Sequence, residues 1–163
     1  MSDVAIAQFP HDQLPTLARW LEADHVRRWF PNPEDVLGWT ADIPGNGRQH
    51  VILEGGRAIG YLRWSYVPRG VLDEIGFEDL PGNSADIDLL IGPDDRTGRG
   101  VGRRALELAV AEIRAEGTAR LAALTTSIEN HRAHRSFANA GFRIDREYTP
   151  EGFGRCFLML RDL

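Results

Sequence analysis

Residues 96–104, Arg96-Thr97-Gly98-Arg99-Gly100-Val101-Gly102-Arg103-Arg104, interleave three glycines with four arginines. Glycine accepts left-handed backbone angles and has no Cβ to block a ligand. A glycine-rich turn that opens a helix therefore lets the first unpaired N–H groups meet an anion. Arg96, Arg99, Arg103 and Arg104 bring fork-shaped donors to the same turn, and the guest this pattern predicts is a polyphosphate. Two common phosphate motifs do not fit. A P-loop ends in Gly-Lys-Ser/Thr, and all nineteen basic residues of the chain are Arg. A dinucleotide fingerprint starting at Gly98 would need a third glycine where Arg103 stands.

The elements around the turn read directly from the sequence. The apolar run Leu89–Ile91 suits a buried strand, which Gly92–Pro93 ends. Val101, Ala105, Leu108, Ala109 and Ile113 then recur at helical spacing until Gly117, a C-cap. Upstream, Val4–Phe9 reads as a strand, and Asp12 as the cap of a helix with Leu14, Leu17, Ala18 and Leu21 on one face. Asn32–Pro33 begins a short helix to about Ala41. Val51–Leu53 and Ala58–Val67 read as strands joined by the turn Gly55–Gly56, and Pro68–Ala85 as a long acidic loop. Downstream come a strand at Leu121–Thr125, a helix at Asn130–Ala140, and a closing strand pair at Phe142–Glu147 and Phe157–Leu160.

Composition narrows the classes. The 163 residues and 42% hydrophobic content predict one domain over 1–163 with one sizeable core. A net charge of −5 argues against nucleic acid as partner and toward a cationic substrate. No apolar run is long enough to span a membrane, no charged leader opens the chain, and the expected location is the cytoplasm. The single Cys156 lies in an apolar run and reads as a buried strand thiol. His131 and His134 stand three apart without an evident third ligand, so no metal site is expected.

Arg96-x-x-Gly98-x-Gly100-x-Gly102 resembles the pyrophosphate loop of the GCN5-related (GNAT) N-acetyltransferases, which bind acetyl-CoA between a strand and this helix. Asn130-x-x-Ala133-x-x-x-Phe137-x-x-x-Gly141-Phe142 is similar to a second segment of that superfamily. Trp20–Leu21, His25–Val26, Trp29, Ile59–Gly60–Tyr61, Ser65–Tyr66–Val67 and Ile87–Asp88 resemble its aminoglycoside 6′-N-acetyltransferase branch. The resemblance implies a single-domain α/β GNAT fold, a mixed central sheet flanked by helices and splayed near Asp88 to admit acetyl-CoA. The co-substrate site it implies comprises Leu90, Ile91, Arg96, Thr97, Gly98, Arg99, Gly100, Val101, Gly102, Asn130 and Phe137. An N–H of Leu90 or a neighbour would polarise the thioester carbonyl, as the family geometry has it.

Acetyl transfer to an amine needs an anionic base that draws in the ammonium and takes its proton. Asp88, at the front of a buried strand, stands where the resembled branch has its proposed catalytic aspartate. The same likeness assigns Trp29, Tyr66, Asp73 and Asp88 to the acceptor, and the implied reaction is N-acetylation of an aminoglycoside-like amine. Four positions depart from the pattern: Ile75 and Gly76 replace tryptophans, Thr125 an acidic residue, and Phe137 a tyrosine able to protonate the leaving thiolate. Two alternatives stay open: acetylation of another amine, such as a siderophore precursor or a protein amino group, and acyl-CoA sensing without turnover. The expected state is monomer or homodimer.

Overall fold

The computed structural model describes residues 3–42 and 45–163. Seven strands form one mixed sheet in the order β1-β2-β3-β4-β5-β7-β6. They are β1 (Val4–Gln8), β2 (Gly47–Glu54), β3 (Arg57–Val67), β4 (Ser84–Ile91), β5 (Leu121–Ser127), β6 (Arg143–Tyr148) and β7 (Cys156–Asp162). All neighbours pair antiparallel except β4 and β5, which run parallel and are joined by the crossover helix α5 (Val101–Glu116). The turn between β2 and β3 uses Gly55 and Gly56, both at positive φ, as the sequence predicts.

Between β1 and β2 lie α1 (Leu14–Glu22), α2 (Asp24–Arg27) and α3 (Pro33–Ala41); α4 (Arg69–Glu74) lies between β3 and β4, and α6 (His131–Asn139) between β5 and β6. Gly117 at φ +73° closes α5, in agreement with the sequence. Two local readings change. Asp12 lies in a 3-10 turn (His11–Gln13), and α1 starts after it with Gln13 at the N-cap. The stretch 68–85 contains α4, six residues too short to show a helical apolar period.

Period-two alternation divides the core between the two faces of the sheet. On one face Ile52, Leu62, Trp64 and Ile87 pack against Val101, Ala105, Leu106, Ala109 and Ile113 of α5 and against Phe137 of α6. The other face is covered in two pieces. Leu17, Leu21, Val26 and Val36 of α1–α3 pack on Val51, Tyr61 and Leu90, while Leu72, Phe77 and Leu80 pack on Leu121, Ala123, Leu158 and Leu160. The boundary between those pieces falls where β4 meets β5. Cys156 is buried and free, as expected of a strand thiol.

Candidate active site

The opening expected near Asp88 is present. β4 pairs with β5 only at Ala85↔Ala122 and Asp86↔Ala123; from Ile87 onward the strands part, and β5 continues on β7 alone. Alternation turns Ala85 and Ile87 toward α5 and sets Asp86, Asp88 and Leu90 on the opposite face. Asp88 thus stands beside the start of the gap, its side chain 28% exposed. Arg63 on β3, directly across in register, donates from Nε to Asp88 Oδ2 at 3.0 Å, and its guanidinium lies 3.9 Å over the Trp39 ring. That stack and ion pair hold the carboxylate in one orientation.

Three further groups meet at this floor. Asp86 is partly buried; desolvation, reinforced by Asp88, pushes its carboxyl up to about 8. Tyr148 of β6 shares a hydrogen bond with Thr125 Oγ1 of β5, and burial raises its phenol. The electrostatic influence of Asp86 and Asp88 reaches that phenol as well, so all of these groups belong to one cluster.

The glycine loop follows β4. Gly98 (φ +72°) and Gly100 (φ +80°) occupy left-handed backbone, and Gly100 caps α5 without a side-chain acceptor, leaving the first-turn N–H groups for a ligand. Gly102 differs: a Cβ there would make ordinary contacts with Ser136 and Leu89 at 3.7 and 3.8 Å. Val101 is buried, so like Leu90 it has only its backbone to offer. Thr97 donates to the Asp94 carbonyl and shapes the turn.

The arginines divide in a way the sequence does not show. Arg96 pairs at 3.1 Å with Glu54, whose side chain is only 10% exposed, so it braces the loop from behind. Arg103 and Arg104 both pair with Glu107. Arg99 alone of the four is exposed with no ion-pair partner among the described residues. A further arginine reaches the loop from α6: Arg132 donates to Thr97 Oγ1 at 2.5 Å and lies about 4 Å from the Cβ position of Gly98. Arg132→Gln is therefore expected to weaken CoA binding about tenfold, the worth of one charge-assisted contact. Titration of CoA by calorimetry checks this, and unchanged affinity would leave Arg132 a loop brace only.

The remaining predicted residues are placed as follows. Asn130 caps α6, its Oδ1 accepting from Ala133 N at 3.2 Å, and Phe137 is buried in the α5–α6 core. The Ile91 carbonyl lies 3.3 Å from His25 Nε2. Trp29 is half-buried under the Arg28 guanidinium. Asp73 lies on α4, half exposed and paired with Arg69 at 2.8 Å. Tyr66 requires a correction: it sits on the α5 face, its hydroxyl bonded to Glu116, with the sheet between it and Asp88. An even offset from Trp64 on one strand makes that placement unavoidable. The residues that sequence reasoning missed are Arg63, Tyr148 and Arg132; Asp86 counts among the acidic residues read with the 68–85 loop. Only Arg132, two positions after Asn130, carried a sequence signal.

A glycine turn with free helix-start N–H groups, a sheet that opens beside it and a carboxylate at the edge of the opening are the features an acyl-CoA-dependent transferase would use. The model of the acetyltransferase (GNAT) domain matches residues 9–149, and the chain belongs to that family as an acetyl-CoA-dependent N-acetyltransferase. No curated protein matches it by sequence. Among solved structures it is similar to the aminoglycoside acetyltransferase AAC(6′)-Ib in complex with coenzyme A and kanamycin, with 22% identity, TM-score 0.83, and 98% and 95% of the two chains covered. It is also similar to an aminoglycoside N(6′)-acetyltransferase from Legionella pneumophila, with 16% identity, TM-score 0.74, and 98% and 91% covered. A spermidine N-acetyltransferase chimera from Vibrio cholerae has 14% identity and TM-score 0.75, with 98% and 95% covered. No helix among the described residues is long and apolar enough to cross a membrane.

Proposed function

We propose that the chain acetylates a primary amine of a small cationic substrate, with an aminoglycoside carrying a 6′-amino group as the leading acceptor. The observation that carries this reading is Asp88, fixed by Arg63 at the edge where β4 and β5 part. Acetyl-CoA supplies an activated thioester whose carbonyl accepts the amine nitrogen as the C–S bond breaks. Gly98, Gly100 and the first N–H groups of α5, with Thr97, Arg99 and Arg132, hold the phosphates. Asn130 orders the first turn of α6 beside them, and a backbone N–H at Leu90 or a neighbour polarises the carbonyl. Asp88 receives the ammonium proton. The amine gives its second proton to water as the C–S bond breaks, and since Phe137 has none to give, the thiolate is reprotonated from water. Trp29 and Trp39 flank the amine site from the helical side.

Specific contacts favour a second acceptor class, amines with fewer charges than a drug. Asp73 is paired with Arg69 and Asp79 with Arg146, so these carboxylates of the 68–85 segment are already neutralised. Thr125 adds no charge to the floor. Thiol release with acetyl-CoA against aminoglycosides, simple polyamines, hydroxylated lysine derivatives and peptide amines separates the readings. Saturable turnover with a 6′-amino aminoglycoside and none with its 6′-hydroxy counterpart is the expected result. Turnover confined to the other amines would transfer the assignment to that class.

A further inference from the structure

The chemistry above gives Asp88 a task and leaves its neighbour idle. Asp86 lies two residues earlier on the same face of β4, opposite Ser65 on β3 and level with Ala123 on β5, the last rung before the strands part. The two carboxylates keep different company. Asp88 is bound by the Arg63 guanidinium, whereas the Asp86 carboxyl has only the Ile87 backbone amide among the described residues. A cation approaching Asp88 meets Arg63 first. One approaching Asp86 meets a carboxyl with no side-chain hydrogen bond or contact ion pair among the described residues, Arg63 acting on it only at a distance, in a partly buried place where a countercharge is worth more than in water.

We propose that Asp86 anchors a second, non-reacting ammonium group of the acceptor, so that this enzyme selects diamines or polyamines with nitrogens about 7 Å apart, the spacing of same-face neighbours on a strand. The inference rests on the amine-acetylation reading and deepens it. The roles separate by electrostatics. The reacting nitrogen must lose its proton, and Arg63 beside Asp88 favours the neutral amine there. The second nitrogen stays charged, and the unpaired carboxyl of Asp86 suits it.

The titratable groups around Asp86 are Arg63 from β3, Asp88 from β4 and Tyr148 from β6, with Cys156 of β7 beyond Tyr148; β5 presents only Ala123 and Thr125. Desolvation and Asp88 push the Asp86 carboxyl up to about 8 while Arg63 opposes them, and an arriving ammonium shifts that balance toward the carboxylate. Binding of a diamine is therefore coupled to proton release at this carboxyl.

The test compares putrescine and cadaverine with the monoamine butylamine, in wild type and Asp86→Asn. Wild type is expected to prefer the diamines in kcat/KM, and the variant to lose about tenfold of that preference through KM, the loss of one charged contact. Calorimetric titration of wild type with cadaverine, in two buffers of different ionisation enthalpy, should show proton release that butylamine does not produce. A variant that keeps the diamine preference overturns the proposal. So does a wild type with no diamine preference, whether or not the variant folds. Turnover of butylamine without diamine preference overturns the anchor alone and leaves amine acetylation standing. Silence with all three beside turnover of a 6′-amino aminoglycoside overturns the diamine selection alone, and silence with the aminoglycosides as well overturns both.

Discussion

Asp88→Asn is expected to lower kcat by about 10²–10⁴-fold, the range for removing a positioned general base, with CoA affinity near that of wild type. Asn preserves the shape and keeps an oxygen for the Arg63 hydrogen bond, so the Trp39–Arg63 stack stays in place and the loop at Gly98–Gly100 is untouched. What is lost is the basic oxygen at the edge of the opening. Thiol release at saturating substrate, together with calorimetric titration of CoA, reads the two effects separately. A kcat within about threefold of wild type would assign proton removal to water and leave Asp88 an orienting group. A parallel loss of CoA affinity would mean that the variant had disturbed β4.

Gly92→Ala is expected to cost about 3 kcal/mol of folding stability, the upper part of the range for overpacking a tight contact. Gly92 follows β4 directly, its N–H bonded to the Ile59 carbonyl at 2.8 Å, and a Cβ there would stand 2.2–2.3 Å from the Trp20 indole. The clash involves a large planar ring on α1 that is itself packed against Leu17, Leu21 and Leu90. It cannot retreat as a flexible side-chain tip would. For a chain of this size the cost corresponds to a melting-point decrease of about 6–12 °C, read by thermal denaturation. Gly102→Ala is the internal control, since its Cβ would make only ordinary contacts at 3.7 Å and beyond. Equal melting curves for Gly92→Ala and wild type would mean that α1 shifts freely over the sheet.

These two positions also show what kind of information the sequence holds. The left-handed glycine turn into α5 was legible because its signal is local: glycines at alternate positions next to a helical period leave few other backbone readings. The opening beside Asp88 followed from the resemblance and agrees with the register of β4 and β5. Arg63 was not legible. It is remote from Asp88 in the chain and joins it only through the antiparallel register of β3 and β4. The Arg96–Glu54 pair was hidden for the same reason, and it reassigns an arginine whose type and place both suggested a phosphate ligand. Tyr66 failed differently, because likeness in sequence position carries no information about strand parity until the register is known. α4 escaped because one and a half turns give no periodicity.

The Glu54–Arg96 brace reaches further than its own contact. Glu54 ends β2, and its register partner is Val4 on β1, so the glycine loop, the central hairpin and the first strand meet at one seam. The carboxylate there has one oxygen on Arg96 and the other, Oε1, buried with no partner among the described residues. Conformational entropy that a free glycine loop would surrender on meeting its ligand has already been surrendered in folding. The loop is thereby preorganised from the far side of the sheet, and its shape is a property of the whole amino-terminal half rather than of its own nine residues.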